Sequence, residues 1–445
     1  MELPRQLTNL ISFANTVNAK KDDKKISLFA TAITSSNEQI PLIMPSGMSR
    51  LGAYALNYSD DLRLAVQLQP GVYQNKILPS KDNLIIEVVE RIGLTQTMRR
   101  YRAIPMGDSN PQMAGNNTAV VNMGAKDQLN LITVNFQMME LGYAILKNEM
   151  ISDNHLGSDL YSVLHSQLSK FGAKINLHND DAWKGVDIEK PIDNARVFSI
   201  ISITPAIRLP ELGTYLQSDE RFGVYSRGLG MYYRKGMWYV YPLFKIGRYE
   251  NARKVLNIYR LPENVFPTLH ATHFTQGKVT TILATGQGKH VDGKDIIKQN
   301  VGTGKRVVNA DAAMGEVGYY YAKGQAAVSR TDTLSEYKTS SRASGEELIP
   351  FTEGTSNNLC KNLSANAFNE GTLETIQWNN SNPSELVPGM PVRFFYMVDD
   401  ILMYREGTLL ADRTELTKDT QSPDFVFRRH TALSLFLVKE EKNAP

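Results

Sequence analysis

Residues 62–71, LRLAVQLQPG, decide how the chain folds. Leu62, Leu64, Val66 and Leu68 occupy alternate positions, Arg63, Ala65 and Gln67 lie between them, and Pro70-Gly71 ends the run. Successive side chains of a strand point to opposite faces, so the pattern reads as a strand with one face buried. A helix would need its apolar positions three and four apart. The alternation recurs along the chain. Leu84, Ile86 and Val88 repeat it against Ile85, Glu87 and Val89, and Ile132, Val134 and Phe136 against Thr133 and Asn135. Further strands read at 197–203, 237–244, 255–261, 279–283, 392–398 and 432–438, with Asp399-Asp400 turning the chain into a strand at 401–404. Helix signals are fewer. The sequence predicts one helix over 159–171, with Ser158 as N-cap, Gly172 just past its end and a stripe of Leu160, Leu164, Leu168 and Phe171. A second is expected over 7–17. The fold class is mainly β, of the α+β kind.

The chain has 445 residues, which at roughly 150 per domain suggests about three domains. Hydrophobic residues make up 42% and charged residues 21%, a composition that excludes wholesale disorder. No apolar run approaches the ~18 residues of a spanning helix, so no stable membrane insertion is expected. The first residues show no basic region followed by an apolar one, so no secretory leader is expected. The single cysteine, Cys360, excludes an intramolecular disulfide and a cysteine-based zinc site, which fits synthesis in a reducing cytoplasm.

Searches for catalytic chemistry end without a constellation. Gly304-Lys305 is followed by Arg306 and preceded by Gln299 where a phosphate loop needs glycine. Gly228-Leu229-Gly230 begins a dinucleotide fingerprint, but Tyr233 fills its third glycine position. No Gly-x-Ser-x-Gly elbow occurs. His270 and His273 could share a metal only on a helix, and Pro267 and Thr272 favour extended backbone. The pairs Asp60-Asp61, Asp180-Asp181 and Asp399-Asp400 read as solvated turns, since neighbouring acids on a strand point apart and cannot face one cleft. No enzyme, cofactor or metal is expected.

The local anomaly is residues 221–260. They hold nine basic residues against one acid, Glu250, a net of +8, so the chain's +3 leaves −5 for the rest. Ten aromatics share the window. Cations interleaved with rings suit a nucleic-acid surface. They equally suit a protein interface, where Tyr, Trp and Arg dominate. A third reading places the rings in a barrel core and the cations in solvent. The interface candidates are Arg227, Arg234, Lys235, Trp238, Tyr239, Tyr241 and Arg248. Residues 284–372 differ again, with clustered glycines and few alternations, and are expected to be mobile in the free subunit and ordered by partners.

The order of segments carries a resemblance. LQPGVYQNKILPSKDNLIIEVVER (68–91) leads to RRYRAIP (99–105) and LNLITVNFQMMELGYAILKNE (129–149). LGTYLQSDERFGVYSRGLGMYYRKGMWYVYPLFKIGRYENARKVLNIYRLP (212–262) and PGMPVRFFYMVDDILMYREGTLL (388–410) follow. Together these resemble the baseplate hub protein of contractile-tailed bacteriophages, over most of 60–262 and the last 60 residues. The resemblance implies two tube-type β-barrel domains, at 59–150 and 191–275, after an N-terminal segment at 1–58. A helical linker at 151–190 would join them, followed by an irregular region or small domain at 276–372 and a C-terminal β region at 373–445.

It further implies a structural virion protein forming a homotrimer, whose pseudo-sixfold ring joins the tail tube to the central spike. Tube or tube-initiator proteins, the spike, the tape measure protein and the baseplate wedge are the implied partners, with DNA in transient passage. Interfaces of such obligate assemblies bury on the order of 2,000–5,000 Å². Two other readings are a peptidoglycan-cleaving tail enzyme and a nucleic-acid-binding protein acting through 221–260. In a tube that conducts DNA, the cations of 221–260 are expected to face subunits or tail partners rather than the bore.

Overall fold

The structure, a computed structural model, describes residues 5–18, 26–42, 44–93, 95–106, 131–218, 222–261, 273–285, 290–292, 367–368, 371–399, 401–419 and 426–443. Helix α1 (Arg5–Asn18) precedes β1 (Ile26–Ile33), β2 (Gln39–Leu42) and β3 (Met44–Ala53). β4 (Asp61–Leu68) carries the alternating run. Leu62, Leu64, Val66 and Leu68 are 0–4% exposed, whereas Arg63 faces solvent. β5 (Ile85–Ile92), β6 (Thr95–Pro105) and β7 (Ile132–Glu140) continue the antiparallel path.

A mixed unit follows, made of α2 (Leu141–Leu146), β8 (Met150–Asp159), α3 (Leu160–Gly172), β9 (Gly185–Ile188), β10 (Val197–Arg208), α4 (Leu212–Ser218), β11 (Leu229–Arg234) and β12 (Met237–Pro242). The chain then supplies β13 (Val255–Leu261), β14 (His273–Gln276), β15 (Val279–Thr285), β16 (His290–Asp292), β17 (Gly371–Asn379), β18 (Pro391–Val398), β19 (Ile401–Lys418) and β20 (Phe427–Val438).

β19 and β20 pair antiparallel, and their ladder closes two rings of strands. One ring runs β19-β3-β4-β7-β6-β5-β1-β20, the other β19-β18-β13-β15-β17-β20. An eight-stranded barrel and a six-stranded barrel therefore share one wall. The closing seams are narrow, Ile26 with Phe427 in the first and Thr285 with Gln377 in the second. In the second barrel β13 runs parallel to both β15 and β18, which requires long connections between them.

Four cores result. The first fills the eight-stranded barrel with Leu64, Val66, Ile86, Val134 and Phe136, and the second fills the other with Leu256, Ile258, Trp378, Leu409 and Leu435. The third joins α3 to the sheets of the mixed unit through Leu164, Leu168, Ile201 and Trp238. A small fourth core seats Leu7 and Ala14 of α1 on Phe274, Phe395 and Leu402.

The mainly-β class agrees with expectation. The strands sort differently from the expected segments. Residues 191–275 do not close a barrel: β10 pairs with β8, β11 and β12 join β9, and only β13 and β14 enter the large sheet. Strands from 26–53 and 401–438 complete the first barrel, because pairing across hundreds of residues leaves no mark in local alternation. α3 is capped by Asp159 rather than Ser158, its carboxylate accepting from the Ser162 N–H at 2.7 Å, and Gly172 is its last residue. Most of the glycine-rich stretch 284–372 lies outside the described residues.

Candidate functional site

β11 and β12 form a hairpin from the pair Leu229–Pro242 to the pair Arg234–Met237. Lys235 and Gly236 make its two-residue turn, with φ of 53° and 79°. Two successive positive φ values suit the twist of a hairpin, and a Cβ on Gly236 would stand 2.1 Å from the Ala182 carbonyl oxygen. Lysine is an uncommon residue for this backbone region. The turn carries Lys235 into a cleft between the first barrel and the 383–385 turn. Its N–H donates to both carboxylate oxygens of Glu140, at 2.8 and 3.1 Å, and its Nζ donates to the Ser384 carbonyl at 2.7 Å.

Arg234, one residue earlier, is 1% exposed. Its guanidinium lies 3.4 Å from Asp60 and 3.4 Å from Asp412 and donates to the Tyr54 hydroxyl. Arg50 pairs with Asp412 and donates to Thr414 Oγ1 at 3.2 Å. Tyr54 donates to Asp412 at 2.5 Å and Tyr232 to Asp60 at 2.8 Å. Burial pushes the Asp412 carboxyl up, but Arg234 and Arg50 more than reverse this and hold it below the usual carboxylate range. Burial pushes the Tyr54 and Tyr232 hydroxyls up, so both stay protonated and donate. The cluster ties the hairpin to the β3–β4 corner and to β19. Removing one member would strand a buried charge, a large cost even where the intact pair contributes little net stability.

A cavity of about 160 Å³ opens beside the cluster, its wall including Arg50, Asp60, Arg99, Glu140, Lys235 and Arg429. Burial raises the Glu140 pKa, and Arg99, 3.7 Å away, only partly offsets it. Burial lowers Lys235 to about 7, aided by Arg234, Arg99 and Arg50.

The remaining candidates separate by burial. Trp238 is fully buried in the third core, with its ring centroid 5.2 Å from that of Tyr233. Tyr241 is 3% exposed and packs in the second core, where a Cβ on Gly389 (φ 67°) would stand 2.1 Å from its ring. Arg248 is 7% exposed; its Nε donates to Glu189 at 2.8 and 3.0 Å and its two NH groups to the Pro242 and Gly389 carbonyls. Tyr239, Lys235 and Arg227 are half-buried.

The interface expectation therefore changes for Arg234, Trp238, Tyr241 and Arg248. These side chains join parts of one chain and are not presented to a neighbour. Arg253 meets Asp187 at 3.7 Å and Lys254 meets Glu385 at 3.0 Å, so acids from distant segments answer the cations of 221–260. Arg253 and Lys254 remain exposed in these pairs, as the solvated reading expected, whereas Arg234 and Arg248 are buried. Arg221 lies outside the described residues.

Arg50, Asp60, Glu140 and Asp412 were not among the expected site residues. Asp60, read as part of a solvated turn, is 6% exposed. Asp412 had a legible signal, since Asp412, Thr414 and Leu416 alternate with Arg413 and Glu415 and a carboxylate on such a face must find a partner. Among the described residues no group of three or more His, Cys, Asp or Glu could hold a metal ion, and His270 lies outside them.

No family model matches the sequence, and no curated protein does. Among solved structures, the 43 kDa tail protein of prophage MuSo2 from Shewanella oneidensis matches at 10% identity and a TM-score of 0.41, over 92% of this chain and 96% of that one. The tail protein from Neisseria meningitidis MC58 matches at 10% identity and 0.40, again over 92% and 96%. Both of these are described as tail proteins. A third match is the Escherichia coli c3393 protein, a type VI secretion component described as similar to T4 tail proteins gp27 and gp5, at 6% identity and 0.36 over 90% of this chain and 76% of that one.

Proposed function

We propose that the chain is a structural subunit of a contractile-tail baseplate, a hub that forms a homotrimer between the tail tube and the central spike and surrounds part of the DNA passage. The observation that carries this reading is the pair of closed barrels fused along β19 and β20. A subunit with two barrels side by side gives six barrels in a trimer, a geometry suited to meeting a sixfold tube at one end and a threefold spike at the other. The segment order described from sequence supports the same assignment. The two tube-type units are then the barrels themselves, with the mixed unit of 141–242 braced against both by the Arg234 cluster. Arg234 and Arg248, buried and bound to acids within the subunit, do not add to a phosphate-gripping lining, which favours free passage of DNA. Mass photometry of the purified protein tests the proposal. A trimer is expected at submicromolar concentration, and a stable, soluble monomer that stays monomeric on adding the spike partner would count decisively against it.

A further inference from the structure

We propose that the cavity beneath the Lys235 turn is a binding site for a small oxyanion, of the phosphate or carboxylate class. Unpaired donors on the cavity wall point to this ligand class, independently of the baseplate reading. Each of these acids around the cavity already accepts from a neighbour: Asp60 takes the Tyr232 hydroxyl, Glu140 shares the Lys235 N–H between its two oxygens, and Glu90 takes Arg429. The cations do not use all their donors. Arg429 has a side chain 5% exposed and a buried Nε without a hydrogen-bond partner. Arg50 Nε is likewise buried and unpartnered, 3.9 Å from Asp60. Arg99 approaches Glu140 only to 3.7 Å, beyond hydrogen-bond reach, and the Lys235 ammonium commits one of its three N–H groups to Ser384.

An acceptor-rich group is what this wall lacks. Buried donors left unpaired cost on the order of 1–3 kcal/mol each, so a ligand that satisfies several of them is favoured over an empty site. Formal charge does not oppose this, since the cations and acids of the site balance once solvent-exposed Asp180 is counted. Asp60 and Asp412 offset Arg234 and Arg50, Glu90 offsets Arg429 and Glu140 offsets Arg99, while the Lys235 ammonium meets a carbonyl rather than a carboxylate. Asp180, at the mouth, is exposed to solvent. Arg234, Arg99 and Arg50 all act to discharge Lys235 and outweigh Glu140, which marks a locally positive potential. A cavity of about 160 Å³ has room for such an anion with its residual water. The turn at Lys235 adds the geometric element, since a lysine held at φ 53° has its direction fixed by the hairpin.

Isothermal titration of the full-length protein with inorganic phosphate, and separately with acetate, tests the site against chloride at matched ionic strength. Saturable heat with phosphate identifies a free tetrahedral anion. Saturable heat with acetate alone identifies a carboxylate, such as an acidic side chain of a partner. In either case Lys235→Met and Arg99→Gln are each expected to weaken binding tenfold or more, while Arg91→Gln on the exposed rim of β5 leaves it unchanged. Lys235→Met removes a charge that the folded state already disfavours, so it should fold, and a wild-type far-UV spectrum confirms this. Absence of saturable heat with both anions means a water-filled cavity and overturns the proposal. Equal affinity in wild type, Lys235→Met and Arg99→Gln overturns it too.

Discussion

Asp412 has no exposed surface and is held by Arg234, Arg50 and Tyr54. Replacing it with asparagine keeps the shape and removes the charge, leaving Asp60 as the carboxylate nearest both guanidinium groups. The expected loss is roughly 3–5 kcal/mol, read as a lower urea midpoint, and a change under about 1 kcal/mol would show the cluster to be solvated. The sign with pH follows from its lowered pKa. The carboxylate's contribution is complete above the unfolded value near pH 4 and is lost as pH falls through the lower folded value. Wild type should therefore lose stability on acidification in a window that Asp412→Asn lacks. Little of this residue-scale network was legible beforehand. Side-chain pairs such as Arg234–Asp412 are 178 positions apart, and charge counted in a window of forty residues cannot report a partner outside it.

Among the elements, β19 is the one both barrels use, and Gly407 shows how closely it is packed. A Cβ there would stand 1.8 Å from the Phe436 carbonyl oxygen across the β19–β20 ladder. Gly407→Ala is expected to cost about 1–3 kcal/mol or more by forcing the two strands apart. Gly157→Ala is the comparison, since its added methyl meets nothing within 4 Å and only its φ of 56° is strained. Equal midpoints for the two variants would refute the packing argument. Existence of the elements was the legible part of the fold: β4, β13 and α3 follow the periodicity of Leu62–Leu68, Val255–Leu261 and Leu160–Phe171 closely. Their partners were not legible, because β13 finds β18 in parallel and β1 finds β5 through tertiary packing alone. β1, β3 and β6 also escaped detection, their buried faces being interrupted by Ala, Gly and Arg.

At the scale of the whole molecule, neither barrel has a complete wall of its own. Removing the β19–β20 ladder opens both rings, so the two cannot unfold independently. Native-state hydrogen exchange measures this directly. Amides of β4 in the first barrel and of Leu256–Tyr259 in the second are expected to share one global opening, with the same urea dependence. Release of either set at a clearly lower urea concentration would show two separate cooperative units. The mixed unit, held by the Arg234 cluster and the Tyr241 packing, is expected to open first, since among the described residues β8 and β10 pair only with each other.

The register of the shared ladder shifts between Leu409 and Ala411, at the place where β19 leaves β18 and takes up β3. Side chains alternate with a period of two, so this bulge is a phase joint between the barrels. Residues on its first side set which face lines the six-stranded barrel, and residues on its second side set the lining of the eight-stranded one. Parity on either side is therefore fixed independently of the other. An odd insertion elsewhere in β19 turns one lining inside out, whereas β20 crosses both barrels in a single phase, with Phe427 in one core and Leu433, Leu435 and Leu437 in the other. The strand that fuses the two barrels mechanically is thus also the one in which the alternation changes phase between them.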